Sequence, residues 1–430
     1  MSAGFDTLAL HAGSAVDSAT GARATPIYFT TSFCFDDAAH AASLFNMERA
    51  GHVYSRLSNP TNATLEEKIA ALECGIGALA CASGQAALFL AICTIAPAGS
   101  HILASRSLYG GSHNLLAYTL PRFGIQTSFV DMRDVAAVEA AIRPETRLLF
   151  GESIGNPMLD VLNIPAIAAI AHAHALPLLV DATLATPWLQ QPLQLGADLV
   201  LHSASKYLCG HGTAIGGLLV DGGQFDWQAA HAQHGHFAEL CQPYAGFHDV
   251  VFCEESALAA FLLRARREGL RDFGACLSPH NAFAILQGVE TLSLRMQRHV
   301  ENTRALLAML AQHPAVAALH HPELPGHPDA ALAQQLLPRG GGAVISVEVK
   351  GGKAAAQKMI EHLRLFSHLA NVGDAKSLAL HPASTTHARM REEDLQAAGI
   401  APGMVRLSIG LEDAADLQED LNRALKLSQK

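Results

Sequence analysis

One lysine and one aspartate stand where the chain could hold a carbonyl cofactor. Lys206 lies in the run Leu-His-Ser-Ala-Ser-Lys-Tyr, directly after a predicted apolar strand, and Asp181 ends another such strand in Leu-Leu-Val-Asp. A lysine amine forms a Schiff base with an aldehyde, and a carboxylate keeps a pyridine nitrogen protonated so that the ring withdraws electrons, which is the chemistry of pyridoxal phosphate (PLP). Burying a lysine without such a use is costly. Taken alone, the pattern is equally typical of a surface lysine after an edge strand, with Asp181 as a helix N-cap. The other motifs of the chain must therefore distinguish this interpretation from a cofactor site.

Two short segments carry groups that bind phosphate. Ser83-Gly84-Gln85 lies between a predicted strand and a predicted helix, where Gly84 lets the backbone approach a ligand and the helix N-terminus offers free N–H groups. Ser203 and Ser205 precede the lysine, so their hydroxyls could bind phosphate oxygens while the amine reaches an aldehyde. An ordinary tight turn would give the first pattern as well.

Three further side chains could hold an aromatic cofactor and an amino-acid substrate. Tyr109, in a glycine-containing loop, could lie flat over a ring, and a packed loop tyrosine is the alternative. Asn156, after a predicted strand, could donate to a ring oxygen or a carboxylate, although an asparagine before proline is also typical of a turn. Arg406, in the apolar run Val-Arg-Leu-Ser-Ile, suits a substrate carboxylate or a structural salt bridge.

The first 65 residues are rich in Thr, Ser, Gly, Pro and aromatics, which predicts an extended arm with no long helix before Leu65. An apolar arm must pack on something, most simply another subunit. Tyr54 and Arg56 in this arm offer a phenol and a guanidinium that suit a phosphate. We therefore expect the arm to deliver these groups to a neighbouring subunit's site.

Beyond the arm, apolar strands alternate with helices. This pattern predicts a mostly parallel sheet with helices on both faces, and ligands outside the carboxyl ends of its strands. Three parts are expected: the arm at 1–65, a large domain at 66–292 with an insertion at about 221–275, and a smaller α/β domain at 293–430. A single long helical run is expected at 278–304.

Composition excludes several classes of function. The net charge of -10 comes without a Lys/Arg block, so nucleic acid is not an expected partner. The longest apolar stretch, 86–98, is too short to cross a bilayer, and no basic segment followed by an apolar one begins the chain, so neither a membrane partner nor a secretory signal is expected. Eight cysteines without a C-x-x-C pair predict reduced thiols in a cytoplasmic protein and no metal site.

Taken in order, these motifs resemble those of the Cys/Met-metabolism family of PLP-dependent enzymes, from about Asp6 to Arg406 and beyond. The resemblance implies the fold-type-I architecture of PLP-dependent transferases, an α/β fold in which a mostly parallel large domain is joined by a smaller C-terminal domain and an extended N-terminal arm. It implies three catalytic residues: Lys206 as the Schiff-base lysine, Asp181 at the pyridine nitrogen and Tyr109 stacked on the ring. The phosphate and substrate residues that it implies are Ser83, Gly84, Gln85, Ser203 and Ser205, with Tyr54 and Arg56 arriving from a partner subunit, and Asn156, Arg406 and Ser377 at the substrate.

Within the family, the chain is most similar to the O-acetylhomoserine sulfhydrylases, through the segments 278–283, 287–292, 371–378 and 381–387. Gln85 fits this branch, and Gly111 stands where methionine γ-lyases usually carry cysteine. Two residues depart from the family pattern. Phe29 replaces a usual glutamine, which removes a polar group from the arm, and Ser112 replaces a usual threonine.

The resemblance predicts a γ-replacement reaction of methionine biosynthesis, in which O-acetyl-L-homoserine and sulfide give L-homocysteine and acetate. It also implies a homotetramer built from dimers with shared sites. Three alternatives remain: cystathionine γ-synthase or γ-lyase activity, use of the succinyl ester or of another thiol, and a PLP-binding protein without turnover. A dinucleotide-dependent oxidoreductase ranks last because no G-x-G-x-x-G follows the first strand of the sheet.

Overall fold

Two β-sheets organise the part of the chain that the structure describes. The computed structural model describes residues 3–46, 48–386, 388, 393 and 399–430. The strands of the larger sheet are β1 (Gly77–Cys81), β2 (His101–Ser105), β3 (Gln126–Val130), β4 (Thr146–Glu152), β5 (Leu178–Asp181), β6 (Leu199–His202) and β7 (Gly217–Asp221). Those of the smaller sheet are β8 (Val316–His320), β9 (Val344–Val349), β10 (Ser367–His368), β11 (Leu378–Leu380) and β12 (Met404–Ser408). The strand orders are β1-β7-β6-β5-β4-β2-β3 and β10-β11-β12-β9-β8.

Helices precede, connect and follow these strands. In the first half of the chain they are α1 (Phe5–His11), α2 (Ala38–Phe45), α3 (Pro60–Glu73), α4 (Gly84–Ile95), α5 (Gly110–Asn114), α6 (Val135–Ala140), α7 (Ile164–Ala173) and α8 (Thr186–Leu189). The segment expected as an insertion contains α9 (Trp227–His234), α10 (Ala238–Cys241), α11 (Phe252–Glu255), α12 (Ala260–Arg264) and α13 (Arg271–Phe273). The remaining helices are α14 (Pro279–Val289), α15 (Leu292–Leu310), α16 (Ala330–Leu336), α17 (Gly352–His362) and α18 (Ala414–Ser428).

The larger sheet is mostly parallel, which confirms the prediction from its alternating pattern. Strands β2 to β6 run parallel to their neighbours, whereas β7 runs antiparallel to β6 and to β1. The carboxyl ends of β4, β5 and β6 therefore meet at one edge, where Glu152 is paired with Asp181 and Asp181 with Leu201. This is the edge at which open α/β sheets bind ligands.

Alternate side chains of a central strand pack on opposite faces of this sheet. In β6, Val200 belongs to the apolar cluster that contains Ile69 and Ile285, whereas Leu201 belongs to the cluster that contains Phe150. All five side chains are almost completely removed from water. Burial on both faces explains why the central strands are apolar runs without polar alternation, and it holds the strand ends in fixed positions.

The arm contains more helix than its sequence predicts. The two short helices α1 and α2 lie within it, and α3 begins at Pro60 rather than Leu65. The Asn59 side chain accepts the Thr61 N–H at 3.0 Å, and proline occupies the first turn. An asparagine cap followed by proline is a strong helix start, so the later start at Leu65 was wrong.

The predicted helical run at 278–304 is two helices. It breaks between α14 and α15, where Thr291 leaves helical geometry and its hydroxyl donates to the Gly288 carbonyl at 3.3 Å. A threonine side chain that bonds to a nearby carbonyl competes with the helical backbone pattern.

The smaller sheet carries one buried arginine at its centre. Arg406 lies on β12, opposite Leu380 of β11 and Ser346 of β9. Apolar side chains of this sheet and its helices, such as Leu407 and Leu421, are fully buried together. Among the described residues, no helix combines the length and the apolar character that crossing a membrane requires.

Candidate active site

Asp181 is a partly buried carboxylate at the carboxyl edge of the larger sheet. Its Oδ1 accepts the N–H of Thr183 at 2.9 Å. Burial raises the pKa of Asp181, while the hydrogen bonds from Thr183 and the neighbouring His202 lower it. Among the described residues, no lysine or arginine forms an ion pair with this carboxylate. A cationic ring nitrogen would supply that missing charge.

Lys206 lies in the turn that follows β6, and its amine points to the smaller sheet's side of the site. Its Nζ donates to the Asn371 Oδ1, 165 residues away in the chain. Burial lowers the pKa of Lys206, and the positive charge of Arg406 lowers it further. Near neutral pH, a lowered pKa leaves more of the amine unprotonated, and only the unprotonated amine attacks a carbonyl or accepts a proton.

The start of α4 and the turn after β6 form one concave surface. A Cβ atom at Gly84 would lie 2.7 Å from the Ser203 Cβ, so only glycine allows this approach. Ser83 caps α4, with its hydroxyl accepting the Ala86 N–H at 3.1 Å. The remaining N–H groups of the first turn have no intrahelical acceptor and suit a phosphate.

Ser205 is placed differently from Ser203. Its hydroxyl accepts the Gly216 N–H at 3.0 Å and donates to the Gly216 carbonyl at 3.3 Å. Ser203, by contrast, uses its backbone N–H, which donates to the Thr183 hydroxyl at 2.8 Å. The structure thus leaves the Ser203 side chain better placed than that of Ser205 to turn to a phosphate.

Tyr109 is held by its backbone, and its ring remains accessible. Its N–H donates to the Glu152 Oε1 at 2.6 Å, and the residue is 49% exposed. A Cβ atom at Gly111 would lie 2.4 Å from the tyrosine ring, so glycine is required beneath it. The Gln85 Nε2 donates to the Gly111 carbonyl at 2.9 Å and joins this loop to α4.

Arg406 is a buried cation without a carboxylate partner in the part of the chain that the structure describes. Its Nη1 donates to the Asn156 Oδ1 at 3.2 Å and its Nη2 to the Asn371 carbonyl at 3.2 Å. Burial lowers its pKa to about 10, with Tyr207 and Tyr109 acting in the opposite direction. A buried guanidinium held by neutral groups is suited to a carboxylate ligand.

Tyr54 and Arg56 lie apart from this group within one chain. The Arg56 guanidinium lies 5.6 Å from the centre of the Tyr54 ring, and its Nη1 donates to the Arg271 carbonyl at 2.8 Å. In the described ranges neither side chain is hydrogen-bonded to another predicted site residue. Their role in another subunit's site stays a prediction.

Ser377 does not offer a free side chain to a substrate. It is fully buried, its hydroxyl donates to the Glu412 Oε2 at 2.9 Å, and the same hydroxyl accepts the Gly410 N–H at 2.8 Å. Its own N–H donates to the Glu412 Oε1 at 2.7 Å. These contacts occupy the Ser377 hydroxyl, and its contact with a substrate stays a prediction. His387, at the end of the segment 381–387, lies outside the described residues.

One group of possible metal ligands occurs among the described residues. Asp160, His327 and Asp329 bring their ligand atoms within 4.8 Å of one another. The Asp329 Oδ2 already accepts the Val161 N–H at 3.0 Å, and the Asp160 Oδ1 lies 3.4 Å from the Arg133 Nη1. Protein groups thus already bind both carboxylates.

The sequence patterns assigned no role to three residues of the site. Thr183 binds Asp181 and stands two residues after it, so the run Asp-Ala-Thr is a usable signal. Glu152 ends β4 beside Asp181, which the strand alignment could have revealed. Asn371 gives no local signal, because its contact with Lys206 depends on the packing of distant segments.

The chain belongs to the family described as Cys/Met metabolism PLP-dependent enzymes, whose model matches residues 6–426. It is thus an enzyme of fold type I, and PLP is its cofactor. Three features of the site fit that cofactor: the lowered pKa of the Lys206 amine, the partly buried Asp181 carboxylate without a Lys or Arg partner among the described residues, and the helix N-terminus at Gly84.

Individual relatives are similar over nearly the whole chain. An O-acetyl-L-homoserine sulfhydrylase of Leptospira meyeri is 46% identical, over 98% of this chain and 96% of the relative. A homocysteine synthase of Schizosaccharomyces pombe is 44% identical, over 99% and 98%. A crystal structure from Campylobacter jejuni, assigned as an O-acetylhomoserine (thiol)-lyase and containing a pyridoxyl-lysine monophosphate, superposes with a TM-score of 0.95 at 36% identity, covering 99% of this chain and 100% of that one.

Proposed function

We propose that the protein catalyses γ-replacement on O-acetyl-L-homoserine with sulfide, giving L-homocysteine and acetate, as a step of methionine biosynthesis. The observation that carries the proposal is the connected group of Lys206, Asn371, Arg406 and Asn156, which joins a nucleophilic amine to a carboxylate-binding arginine. The similarity to O-acetyl-L-homoserine sulfhydrylases over nearly the full chain supports the choice of substrate.

Arg406 and Asn156 would bind the α-carboxylate of the amino-acid substrate. The arginine is rigid because it lies on β12 and two asparagine oxygens already orient its guanidinium. A carboxylate that approaches this buried cation would form strong, charge-assisted hydrogen bonds. This contact places the carbon next to the carboxylate within reach of the Lys206 side of the site.

Lys206 would remove and return protons at the α- and β-carbons of the substrate. When bound, PLP supplies an aldehyde for a covalent bond to an amine and a ring that withdraws electrons from the attached carbons. The lowered pKa of Lys206 keeps a fraction of its amine unprotonated, and therefore basic, near neutral pH. Asn371 would orient the amine, with Tyr109 as a second group near the reacting carbons.

Asp181 would bind the pyridine nitrogen, and Tyr109 would stack on the ring face. Ser83, Gly84, Gln85 and Ser203 would surround the phosphate through hydroxyl and backbone N–H groups, with Ser205 bracing the turn. These roles use the free donors and the unpaired carboxylate described above. Each group is held by hydrogen bonds to its own scaffold, so little reorganisation is needed on binding.

We further propose a homotetramer of dimers in which each arm completes the partner's phosphate site. The arm exposes large apolar side chains, with Phe29 at 81% and Phe45 at 55% exposure, and Tyr54 beside them is 41% exposed. Apolar surface of this kind is typical of subunit contacts. The parts 1–65, 66–292 and 293–430 would then be an intersubunit arm, a cofactor domain and a substrate-facing domain.

A cytoplasmic location is proposed on chemical grounds. All eight cysteines are free thiols in the structure. Reduced thiols persist in reducing compartments, which supports this location.

Product analysis tests the reaction. Purified enzyme with PLP is offered O-acetyl- or O-succinyl-homoserine, each with sulfide, cysteine or methanethiol, and products are quantified by mass spectrometry. The proposal predicts that the acetyl ester with sulfide gives the highest kcat/KM. Faster turnover with cysteine would point to cystathionine synthesis, and no product from either ester would favour a PLP-binding protein without turnover.

A further inference from the structure

Glu152 lies between two of the groups that would hold the cofactor ring. It ends β4, is 7% exposed, and is paired with Asp181 across the sheet. Its Oε1 accepts the backbone N–H of Tyr109 at 2.6 Å. One buried carboxyl group thus contacts the loop of the stacking tyrosine while standing beside the carboxylate at the ring nitrogen.

This contact differs from the other tether of the loop. The Gln85 side chain joins the loop to α4, on the phosphate side of the site. The Glu152 carboxyl group joins it instead to the strand end beside Asp181. Without this second tether, the Tyr109 backbone could shift away from the sheet while the link to α4 remained.

The electrostatics of the pair agree with a structural use of Glu152. Burial, and next the negative charge of Asp181, raise the pKa of Glu152 well above its ordinary value, while the Tyr109 N–H opposes them. Two adjacent buried carboxyl groups do not readily carry two negative charges. With Glu152 neutral, Asp181 remains the anion that faces the ring nitrogen.

We propose that Glu152 is a positioning residue, which ties the Tyr109 loop to the strand end of Asp181 and so fixes the spacing between the group over the ring and the group at its nitrogen. The inference rests on the proposed roles of those two residues, and it does not depend on which amino acid is the substrate. Glu152 itself contacts neither cofactor nor substrate in this account.

The test is a double-mutant cycle in which PLP binding to the full-length enzyme is measured without amino-acid substrate. Glu152→Gln keeps an oxygen that accepts the N–H, whereas Glu152→Leu fills similar space without one. We expect the leucine variant to raise the Kd of PLP about tenfold and to weaken the visible circular dichroism of the bound cofactor, and the glutamine variant to stay within about twofold of wild type. In a Tyr109→Ala background, Glu152→Leu should add less than about twofold, because the ring it positions is gone.

Asp198→Leu is the matched control. Asp198 is also buried, and its carboxylate accepts the Leu178 N–H at 2.8 Å, at the other edge of the same sheet. Its loss should lower the melting temperature and leave the Kd of PLP unchanged. An equal Kd increase from this control would indicate general destabilisation and overturn the inference.

Other outcomes would also overturn it: a folded Glu152→Leu enzyme with wild-type Kd and dichroism, equal losses from the two Glu152 variants, or an equal loss with and without the Tyr109 ring.

Amide hydrogen exchange of the wild-type enzyme needs no variant to fold. Slow exchange at the Tyr109 N–H supports the tether, and rapid exchange there contradicts it. Because every readout concerns PLP alone, a failed sulfhydrylase assay would leave these results interpretable.

Discussion

Charged side chains in the scaffold differ from those at the candidate active site, where the carboxyl edge of the larger sheet meets residues of the smaller sheet. In the scaffold, Lys68 donates to two backbone carbonyls and Arg295 to three, and the Asp198 carboxylate binds a backbone N–H and a histidine ring. At the edge, Lys206 and Arg406 donate to asparagine oxygens. Arg406 is as buried as Arg295, while Lys206 is partly buried, so burial alone does not distinguish the two regions.

The two regions differ in how much hydrogen-bonding capacity of the charged side chains remains available to a ligand. Burial lowers the pKa of Arg295 and of Arg406 to about 10 in each case. Yet the first is saturated by carbonyls of the fixed backbone, whereas the second has two contacts, one of them with a side-chain amide. Saturated charges stabilise the fold, and incompletely satisfied ones are where a cofactor or substrate gains binding energy.

The two lysines give the largest contrast. Lys206→Ala removes the amine that would bond to PLP and carry protons, so turnover should fall by at least about a thousandfold, measured as homocysteine formation. Lys68→Ala should lower the melting temperature, because it leaves the carbonyls of Ala9 and Leu10 unpaired, while the cofactor absorption band stays. Steady turnover by the Lys206 variant would contradict its role.

The two arginines come next. Arg406→Lys loses planar, bidentate geometry, so KM for the amino-acid substrate should rise about a hundredfold with a smaller change in kcat. Arg295→Lys should destabilise the enzyme and leave KM unchanged. If both variants shifted KM equally, the distinction between saturated and available charges would be wrong.

Subunit mixing tests whether Arg56 belongs to the neighbouring site. Arg56→Ala and Lys206→Ala enzymes should each be weak, but coexpressed chains would form mixed dimers in which one site has both residues intact. Random pairing predicts recovery of about a quarter of wild-type activity. The control is a mixture of the two separately purified proteins under conditions in which their subunits do not exchange. Absence of recovery on coexpression would place Arg56 in its own subunit's site or in none.

The smallest expected effect is on the pH dependence of stability, through Asp221 at the end of β7. Burial raises the pKa of Asp221 to about 7, with the Gly223 N–H opposing it. Because the folded pKa lies above the unfolded value of 3.8, the stability that protonation gives is present in acid and is lost as the pH rises towards 7 and above. Asp221→Asn should therefore gain roughly 2 kcal/mol relative to wild type between pH 5 and pH 8, measured by denaturant unfolding. An unchanged pH dependence would show that Asp221 does not titrate in this range.

Local sequence patterns predicted most of the larger sheet and two of its end residues. Lys206 and Asp181 each follow an apolar run that is buried on both faces, and such runs are visible in a single sequence. The same local reasoning missed the early start of α3, because the Asn59 cap was not weighed against the later apolar positions. The roles of the individual site residues remain predictions.

The other half of the site is not encoded locally. Asn371 and Arg406 reach Lys206 and Asn156 from the smaller sheet, across separations of 165 and 250 residues. Neither residue has a neighbour pattern that reports the contact. Ser377 likewise has a hydrogen bond to Glu412, 35 residues away, that its local motif does not report.

Borohydride trapping identifies the lysine that is bonded to the cofactor. The enzyme with bound PLP is reduced, digested and analysed by mass spectrometry, so that the covalent position of the cofactor is read from a peptide mass. The account predicts the phosphopyridoxyl group on the peptide that contains Lys206 and loss of the visible absorption band. An adduct on another lysine, such as the saturated Lys68, or an enzyme that takes up no PLP, would contradict it.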